Sequence, residues 1–312
     1  MTARTGTSDD SSGATRITCG SVCLIGRPNA GKSTLLSRLV GAKIAIVSDK
    51  PQTTRTRLLG VRNYPGGQVI YIDTPGIHRP LHRMNARMVE AALDTLSEVD
   101  LVTLLMDATQ SIGGGDRYLL DRLQKTSPVV LVLNKIDRVE KPALLPKIAE
   151  LSRLRDFAEI VPISALTGEN GDRLEEVVLR YLPEGPALYP ADYLTDQPER
   201  ILVAETVREQ VLAHTRSEIP FSTAVLVDRF QEPDPSGLMR LYCTILVERA
   251  SQKPIVIGRA GSMVKRIGTA ARLELERLFG TRVFLDLRVK VRPDWREDER
   301  LLDTLGLGPH ES

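Results

Sequence analysis

From residue 20 onward, short apolar runs alternate with stretches of helical period. The runs SVCLIG (21–26), QVIYIDTPG (68–76), LVTLLMDA (101–108) and VVLVLNKID (129–137) stay apolar for several residues and then end in polar or glycine-rich positions. Runs without strict alternation suit strands covered on both faces of a parallel sheet, and the polar ends mark where strand meets loop. Between them apolar residues recur at helical spacing, which predicts helices over 32–40, 84–98, 116–124, 144–154 and 172–181. The expected fold is α/β, a doubly wound sheet whose ligands sit at the carboxyl ends of the strands.

Both periods lapse over 182–198, a proline-rich stretch that predicts a linker. Beyond it the pattern predicts a helix at 200–215 and strands at 223–230 and 238–248 around a PDPSG turn. A glycine-bearing turn and a long helix follow within 258–279, then a strand at 282–291 and a closing helix at 295–305. A length of 312 residues exceeds one ordinary core. The expected division is a disordered tail at 1–16, a first domain at 17–182, a linker at 183–199 and a smaller α+β domain at 200–312.

Composition narrows the partners. A net charge of +2 predicts none, so any nucleic-acid surface must come from local clustering. The cysteines Cys19, Cys23 and Cys243 are odd in number and lack metal-ligand spacing, which points to a reducing compartment and a cytoplasmic protein. Residues 1–16 are mostly Ser, Thr, Gly and Asp with no apolar core of a secretory signal, and no apolar run approaches the roughly 20 residues that cross a bilayer. A soluble protein is expected, with peripheral membrane contact left open.

Gly26-Arg27-Pro28-Asn29-Ala30-Gly31-Lys32-Ser33 matches G-x-x-x-x-G-K-[ST] between a strand and a helix that continues through Thr34. The glycines let backbone N–H groups wrap phosphates at a helix N-terminus. Lys32 is expected to reach the β- and γ-phosphates and Ser33 to bind Mg2+. Asp73-Thr74-Pro75-Gly76 ends the strand QVIYI. There the carboxylate suits a water-mediated hold on Mg2+, and the Gly76 amide would face the γ-phosphate.

Asn134-Lys135-Ile136-Asp137 ends VVLVL. A carboxylate at Asp137 can accept from the N1–H and the exocyclic amine of guanine, whereas adenine would leave it unpaired. Asn134 would brace the loops, and the stem of Lys135 would cover the base. Ser164-Ala165-Leu166, after EIVPI, is placed to offer the Ala165 amide to the guanine carbonyl. Together the four motifs select GTP over ATP.

In Gln52-Thr53-Thr54-Arg55-Thr56 one threonine should close over Mg2+ and the γ-phosphate; Thr54 is favoured and Thr53 is the alternative. Ile77 stands close to where a Ras-type GTPase carries a water-orienting glutamine, and it cannot hydrogen-bond a water. Hydrolysis is therefore expected to be slow unaided, and the Asn29 side chain could help hold K+ beside the phosphates. His78 and His82 read as exposed loop residues rather than bases.

In the second domain, Gly258-Arg259-Ala260-Gly261 lies between the short apolar stretch Val256-Ile257, read as a strand, and a helix carrying Lys265 and Arg266. G-x-x-G in such a place is the loop that clamps nucleic-acid backbone in KH domains. From Ser251 to Leu273 the chain has Lys253, Arg259, Lys265, Arg266 and Arg272 and no acidic residue, a positive face suited to phosphate contact. Ile257, Met263, Val264 and Ile267 could line an apolar groove for bases or belong to the core.

The order P-loop, QTTR, DTPG, NKID, SAL, VIGRAGSMVKRIG and VKVRPDWREDERLL resembles the bacterial Era family of ribosome-assembly GTPases from Gly20 to Leu307. The resemblance implies a G domain followed by a type II KH domain that binds the 3′ end of small-subunit ribosomal RNA during maturation of that subunit. It also implies a mostly cytoplasmic protein, with some contact at the inner membrane, expected here as a monomer. By resemblance Gly26 to Ser33, Asp73 to Gly76 and Asn134 to Asp137 bind GTP, while Gly258 to Gly261, Lys265 and Arg266 contact RNA. Many members carry lysine where Ala260 stands, so this loop has one charge fewer. The alternatives are a GTP-sensing RNA-binding module with little hydrolysis, a tRNA-modification or tandem-GTPase relative, and a membrane-surface cell-cycle switch.

Overall fold

The computed structural model describes residues 17–46, 54–76, 82–123, 128–215 and 219–307. The first sheet contains β1 (Ile17–Gly26), β2 (Leu58–Tyr64), β3 (Gly67–Asp73), β4 (Leu101–Asp107), β5 (Val129–Asn134), β6 (Glu159–Pro162) and the short β7 (Glu184–Gly185). Its order is β2-β3-β1-β4-β5-β6, with β7 on the start of β1. β3, β1, β4, β5 and β6 run parallel, and β2 is antiparallel to β3. Helices α1 (Lys32–Val40), α2 (Arg83–Asp94), α3 (Gly114–Arg122), α4 (Lys141–Ser152) and α5 (Gly171–Arg180) connect the strands.

The two faces of β5 explain its unbroken apolar sequence. Val130 and Val132 pack with Leu35 and Leu36 of α1 and Val177 of α5, whereas Val129, Leu131 and Leu133 pack with α2, α3 and α4. A strand covered on both sides gains nothing from polar alternation. The turns that carry the motifs therefore emerge together at one edge of the sheet.

Three local expectations are corrected. The strand β2 was not evident in the sequence: it contains Gly60, where a Cβ would meet Ile44 Cδ1 at 2.5 Å and Val40 Cγ2 at 2.7 Å. Only glycine lets the end of α1 lie so close. The stretch 182–198 is not a bare linker. Besides β7, Leu194 O accepts from Val61 N at 2.9 Å, and Gln68 Oε1 accepts from the Leu188 and Tyr189 amides at 2.8 and 2.9 Å. Val256 and Ile257 belong not to a strand but to the short helix α8 (Lys253–Ile257), with Pro254 in its first turn, where its missing N–H costs nothing.

The C-terminal unit begins with α6 (Glu199–His214) and the turn of helix α7 (Ile219–Ser222), followed by β8 (Thr223–Gln231) and β9 (Leu238–Val247). After α8 come α9 (Ser262–Phe279), β10 (Arg282–Val291) and α10 (Glu299–Thr304). The sheet order is β10-β9-β8, with β10 parallel and β8 antiparallel to β9. α6 and α9 cover one face through Val203, Val207, Ile267, Ala271 and Leu275. The closing helix predicted at 295–305 is a 3-10 turn, Trp295–Glu297, followed by α10, whose Asp298 caps it through Leu301 N at 3.2 Å.

The two units meet through an apolar cluster. Met84 and Met88 of α2 join Ala224, Leu246, Trp295, Leu302 and Leu307. Between the same two units Arg87 Nη1 pairs with Asp303 Oδ1 at 2.7 Å, and Lys43 Nζ lies 2.9 Å from both Glu209 Oε2 and Glu274 Oε1. Arg55 is 5% exposed; its Nη1 donates to Thr223 O at 2.8 Å, and its guanidinium carbon lies 5.6 Å from the Trp295 ring centroid. Burial first, and then the nearby Arg208, pull the Arg55 pKa down to about 9.

Candidate functional site

The P-loop leaves the sheet at Gly26, where a Cβ would meet Leu105 O at 2.6 Å, and turns through Asn29 and Gly31 at φ 65° and 98°. At Gly31 a Cβ would also lie 2.2 Å from Asn134 Nδ2. Close packing and left-handed backbone thus both require glycine there. Lys32 is buried, with Nζ 3.3 Å from Gly26 O and 3.4 Å from Arg27 O. Desolvation lowers its pKa and the Asp73 carboxylate opposes that effect. The loop borders a cleft of about 420 Å³ that Asn29, Thr34, Lys135, Asp137 and Leu166 also line.

Three oxygens converge beside Lys32. Ser33 Oγ lies 2.6 Å from Thr54 Oγ1 and donates to Asp73 Oδ2 at 2.8 Å, and Thr54 Oγ1 is 3.0 Å from the same carboxylate oxygen. Asp73 is fully buried and its Oδ1 has no hydrogen-bond partner. Burial raises its pKa, while Lys32, Ser33 and Thr54 favour the charged form. One unpaired buried carboxylate oxygen and two hydroxyls form an oxygen set of the kind that Mg2+ uses together with substrate phosphates. Among the described residues there is no group of three acidic, His or Cys side chains that could hold a metal without them. Thr54, the favoured threonine, is thus placed with Ser33 and Asp73; Thr53, with Ile77 and His78, lies outside the described residues.

Thr74 Oγ1 donates to Leu24 O at 2.9 Å and fixes the start of the Asp73–Gly76 turn to β1. Gly76 then approaches the P-loop so closely that a Cβ would sit 2.8 Å from Pro28 N. His82, expected to be exposed, is half-buried, with its Nδ1 3.2 Å from Glu297 Oε1.

The base loop is held by Asn134. Its Nδ2 donates to Ala30 O at 2.8 Å, and its Oδ1 accepts from Lys135 N at 2.8 Å and Ala165 N at 2.9 Å. One side chain therefore ties together the P-loop, the 134–137 turn and the 164–166 loop. The Ala165 amide, expected to meet a guanine carbonyl, already donates here, so an incoming carbonyl would share that N–H with Asn134. Ser164 Oγ donates to Asp137 Oδ1 at 2.6 Å, which orients the carboxylate at the cleft wall, with Arg138 Nε 3.9 Å from Oδ2.

Sequence reasoning missed several supports. Asp107, at the end of β4, accepts Lys135 Nζ at 2.7 Å and Thr109 N at 2.9 Å. Burial pushes its pKa up, but Lys135 and Thr109 outweigh that and hold it below the usual carboxylate range. The pair stretches the Lys135 stem along the cleft. Arg38 donates to Ala165 O at 2.7 Å and Leu166 O at 2.6 Å, and Arg27 pairs with Asp116 at 3.0 Å. A carboxylate ending the run LVTLLMD was the one local signal.

In the second unit Gly258, Ala260 and Gly261 have φ of 75°, 48° and 78°, and Arg259 and Ala260 are exposed. A Cβ on Gly258 would meet Met263 N at 2.6 Å. Lys265 and Arg266 stand exposed on the first turns of α9, while Ile267 is core and Ile257, Met263 and Val264 are half-buried. Arg272 is engaged by Glu276, at 2.8 and 2.9 Å from its two oxygens, and does not extend the basic face as the charge pattern suggested. At Gly268, α9 passes close to Leu287 of β10.

Comparison with known proteins agrees with both halves. The family described as 50S ribosome-binding GTPase matches residues 21–135, and the KH domain family matches 218–296. GTPase Era of Geobacter metallireducens is 54% identical over 288 residues, covering 92% of this chain and 97% of that protein. GTPase Era of Heliobacterium modesticaldum is 48% identical over 292 residues, covering 93% and 97%. A variant of Aquifex aeolicus Era bound to GDP and AlF4− superposes with TM-score 0.90 at 41% identity, over 94% of this chain and all of that one. Era in complex with MgGDPNP and nucleotides 1506–1542 of 16S ribosomal RNA gives TM-score 0.91 at 41% identity, with the same coverage. With a P-loop GTPase domain joined to a C-terminal KH domain and such identity across nearly its whole length, the chain belongs to the Era family of GTPases.

Proposed function

We infer that this chain is a GTP-hydrolysing switch that binds 16S ribosomal RNA near its 3′ end and assists assembly of the small ribosomal subunit. The reading is carried by one observation: Lys32, Ser33, Thr54, Asn134, Lys135 and Asp137 line one cleft, with the buried Asp73 carboxylate hydrogen-bonded to Ser33 and Thr54 behind its wall. That chemistry stands in a chain whose relative binds MgGDPNP and nucleotides 1506–1542 of 16S ribosomal RNA. We assign 17–182 to the GTPase domain, 183–199 to the connection and 200–312 to the KH domain.

Hydrolysis follows as in-line attack of water on the γ-phosphate. The Lys32 ammonium, held on P-loop carbonyls, swings to the β- and γ-oxygens, and the Gly76 amide donates to the γ-phosphate. Ser33, Thr54 and Asp73 would hold Mg2+, which neutralises charge between the β- and γ-oxygens when bound. Asp137, oriented by Ser164, selects guanine. Gly258 to Gly261, Lys265 and Arg266 clamp the RNA backbone, and bases lie against the half-buried apolar side chains beside that loop, Ile257, Met263 and Val264.

Asn29, in left-handed backbone at the cleft wall, offers a carbonyl oxygen for K+ beside the phosphates. GTP turnover measured in KCl and in NaCl, with and without an RNA matching the 3′ end, tests these assignments together. Turnover is expected to be faster in KCl and to change at least about threefold with the matching RNA but not with a scrambled one. Equal rates in the two salts would remove K+ from the mechanism. Indifference to RNA would separate the GTPase from the KH domain, and absence of turnover would leave a GTP-sensing module.

Three buried free cysteines fit the reducing cytoplasm. Cell fractionation checks this, and would also reveal the peripheral membrane fraction that the family resemblance implies. Recovery mainly in membranes would contradict the cytoplasmic assignment.

A further inference from the structure

Thr54 and Arg55 are adjacent, and their side chains serve different domains. Thr54 Oγ1 lies 2.6 Å from Ser33 Oγ and 3.0 Å from Asp73 Oδ2, inside the nucleotide site. Arg55 points the other way, into the KH side, where Nη1 donates to Thr223 O at 2.8 Å and the guanidinium lies over Trp295. Trp295 is fully buried, donates Nε1–H to Ser222 O at 3.0 Å, and packs in the same cluster as Met84 and Met88 of α2. That helix is the first described element after the Asp73–Gly76 turn. One indole therefore packs against the residue next to Thr54 and in the same cluster as the helix that follows the Asp73–Gly76 turn in sequence.

We propose that Arg55 is the positioning residue that couples the nucleotide site to the KH domain: seated over Trp295, it holds the neighbouring Thr54 hydroxyl against Ser33 and Asp73. Two consecutive residues with opposed anchors cannot move independently, because one peptide unit joins them. A ligand that fixes Thr54 thus favours Arg55 on Trp295, and a KH position that keeps Trp295 in place favours Thr54 on the Mg2+ oxygens. The coupling is reciprocal by thermodynamic necessity.

The contact is also suited to release. Arg55 Nε and Nη2 are buried without a hydrogen-bond partner, and among the described residues no carboxylate forms a salt bridge with this guanidinium, although the Glu205 charge nearby favours its protonated form. The neighbouring arginines have their own partners: Arg208 is bound by Glu205 and Arg296 by Glu248. Unpaired buried donors cost free energy, so the seated state carries a penalty that the Trp295 and Thr223 contacts, the Glu205 charge and the Thr54 anchor offset. With GTP and Mg2+ the anchor is complete and Arg55 stays seated. With GDP the γ-phosphate partner of Thr54 is missing and the unseated state gains population.

Trp295 is the single tryptophan of the chain, so its emission reports this contact in the intact protein. Wild-type protein is expected to emit further to the red with GDP than with a non-hydrolysable GTP analogue and Mg2+. Arg55→Ala is expected to lose that difference and to lower kcat about tenfold, with KM for GTP changed less than about threefold, because the base loop is untouched. Arg55→Lys, which keeps a cation but not the planar fork, should fall between the two. A lower melting temperature with kcat and the emission difference both intact would reduce Arg55 to a structural residue and overturn the proposal. If Arg55→Ala does not fold, identical wild-type emission in the two nucleotides would overturn it as well. The proposal rests on reading the site as a GTPase. Absence of wild-type turnover would sink that reading, whereas normal turnover with a silent Trp295 would sink the coupling alone.

Discussion

Asp137→Asn should weaken GTP binding by about a thousandfold and make the protein accept xanthosine triphosphate. The carboxylate of Asp137 receives Ser164 Oγ at 2.6 Å, so it is held in one orientation and cannot turn to suit a different base. Guanine presents two donors, N1–H and the exocyclic amine, to two acceptor oxygens. An asparagine there offers one acceptor and one donor, so its NH2 opposes the guanine amine. Xanthine carries a carbonyl in place of that amine and restores both hydrogen bonds. Because Asn134, not Asp137, ties the three loops together, the substitution should leave the loops in place. Affinities for both nucleotides by equilibrium titration check this; unchanged GTP affinity would show that base recognition lies elsewhere.

Gly76→Ala should lower GTP turnover about a hundredfold while GDP affinity stays near wild type. A Cβ at this position would sit 2.8 Å from Pro28 N and 2.9 Å from Pro28 Cα, and both are backbone atoms of the P-loop. Neither can rotate away, so the turn must retreat and take the Gly76 amide from the γ-phosphate. GDP has no γ-phosphate and does not need that amide. Single-turnover hydrolysis beside GDP titration separates the two effects. Equal loss of both would mean that the P-loop itself is deformed.

The legible parts of the sequence were those in which one short string dictates one chemistry. The string from Gly26 to Ser33 needs its glycines for backbone reasons that hold in any such loop, and α1 begins at Lys32 as the pattern required. The β5 run was readable because both of its faces are apolar. By contrast β2 contains Gly60, whose purpose is visible only when Val40 and Ile44 lie against it. Val256 and Ile257 resembled a strand because two apolar residues carry no period; burial of Val256 beneath α9 settles the matter. Within the site, Asp107 and Arg38 escaped notice because their partners are distant in sequence: Lys135 for the first, Ala165 and Leu166 for the second. Arg55 was invisible for the same reason, as one arginine in a polar loop whose partners, Thr223 and Trp295, belong to the other unit.

The coupling of GTP to RNA is tested most directly by the affinity of the intact protein for a labelled RNA covering the 3′ end of 16S ribosomal RNA. It should be measured with GDP and with a non-hydrolysable GTP analogue across a salt series, for wild type and for Gly258→Asp with Gly261→Asp. Wild-type affinity is expected to differ by at least about fivefold between nucleotides, to fall with salt, and to drop with the two aspartates facing the phosphates. Binding no tighter than to a scrambled RNA in either nucleotide state would contradict an RNA-coupled switch and leave a GTPase whose KH domain serves another purpose.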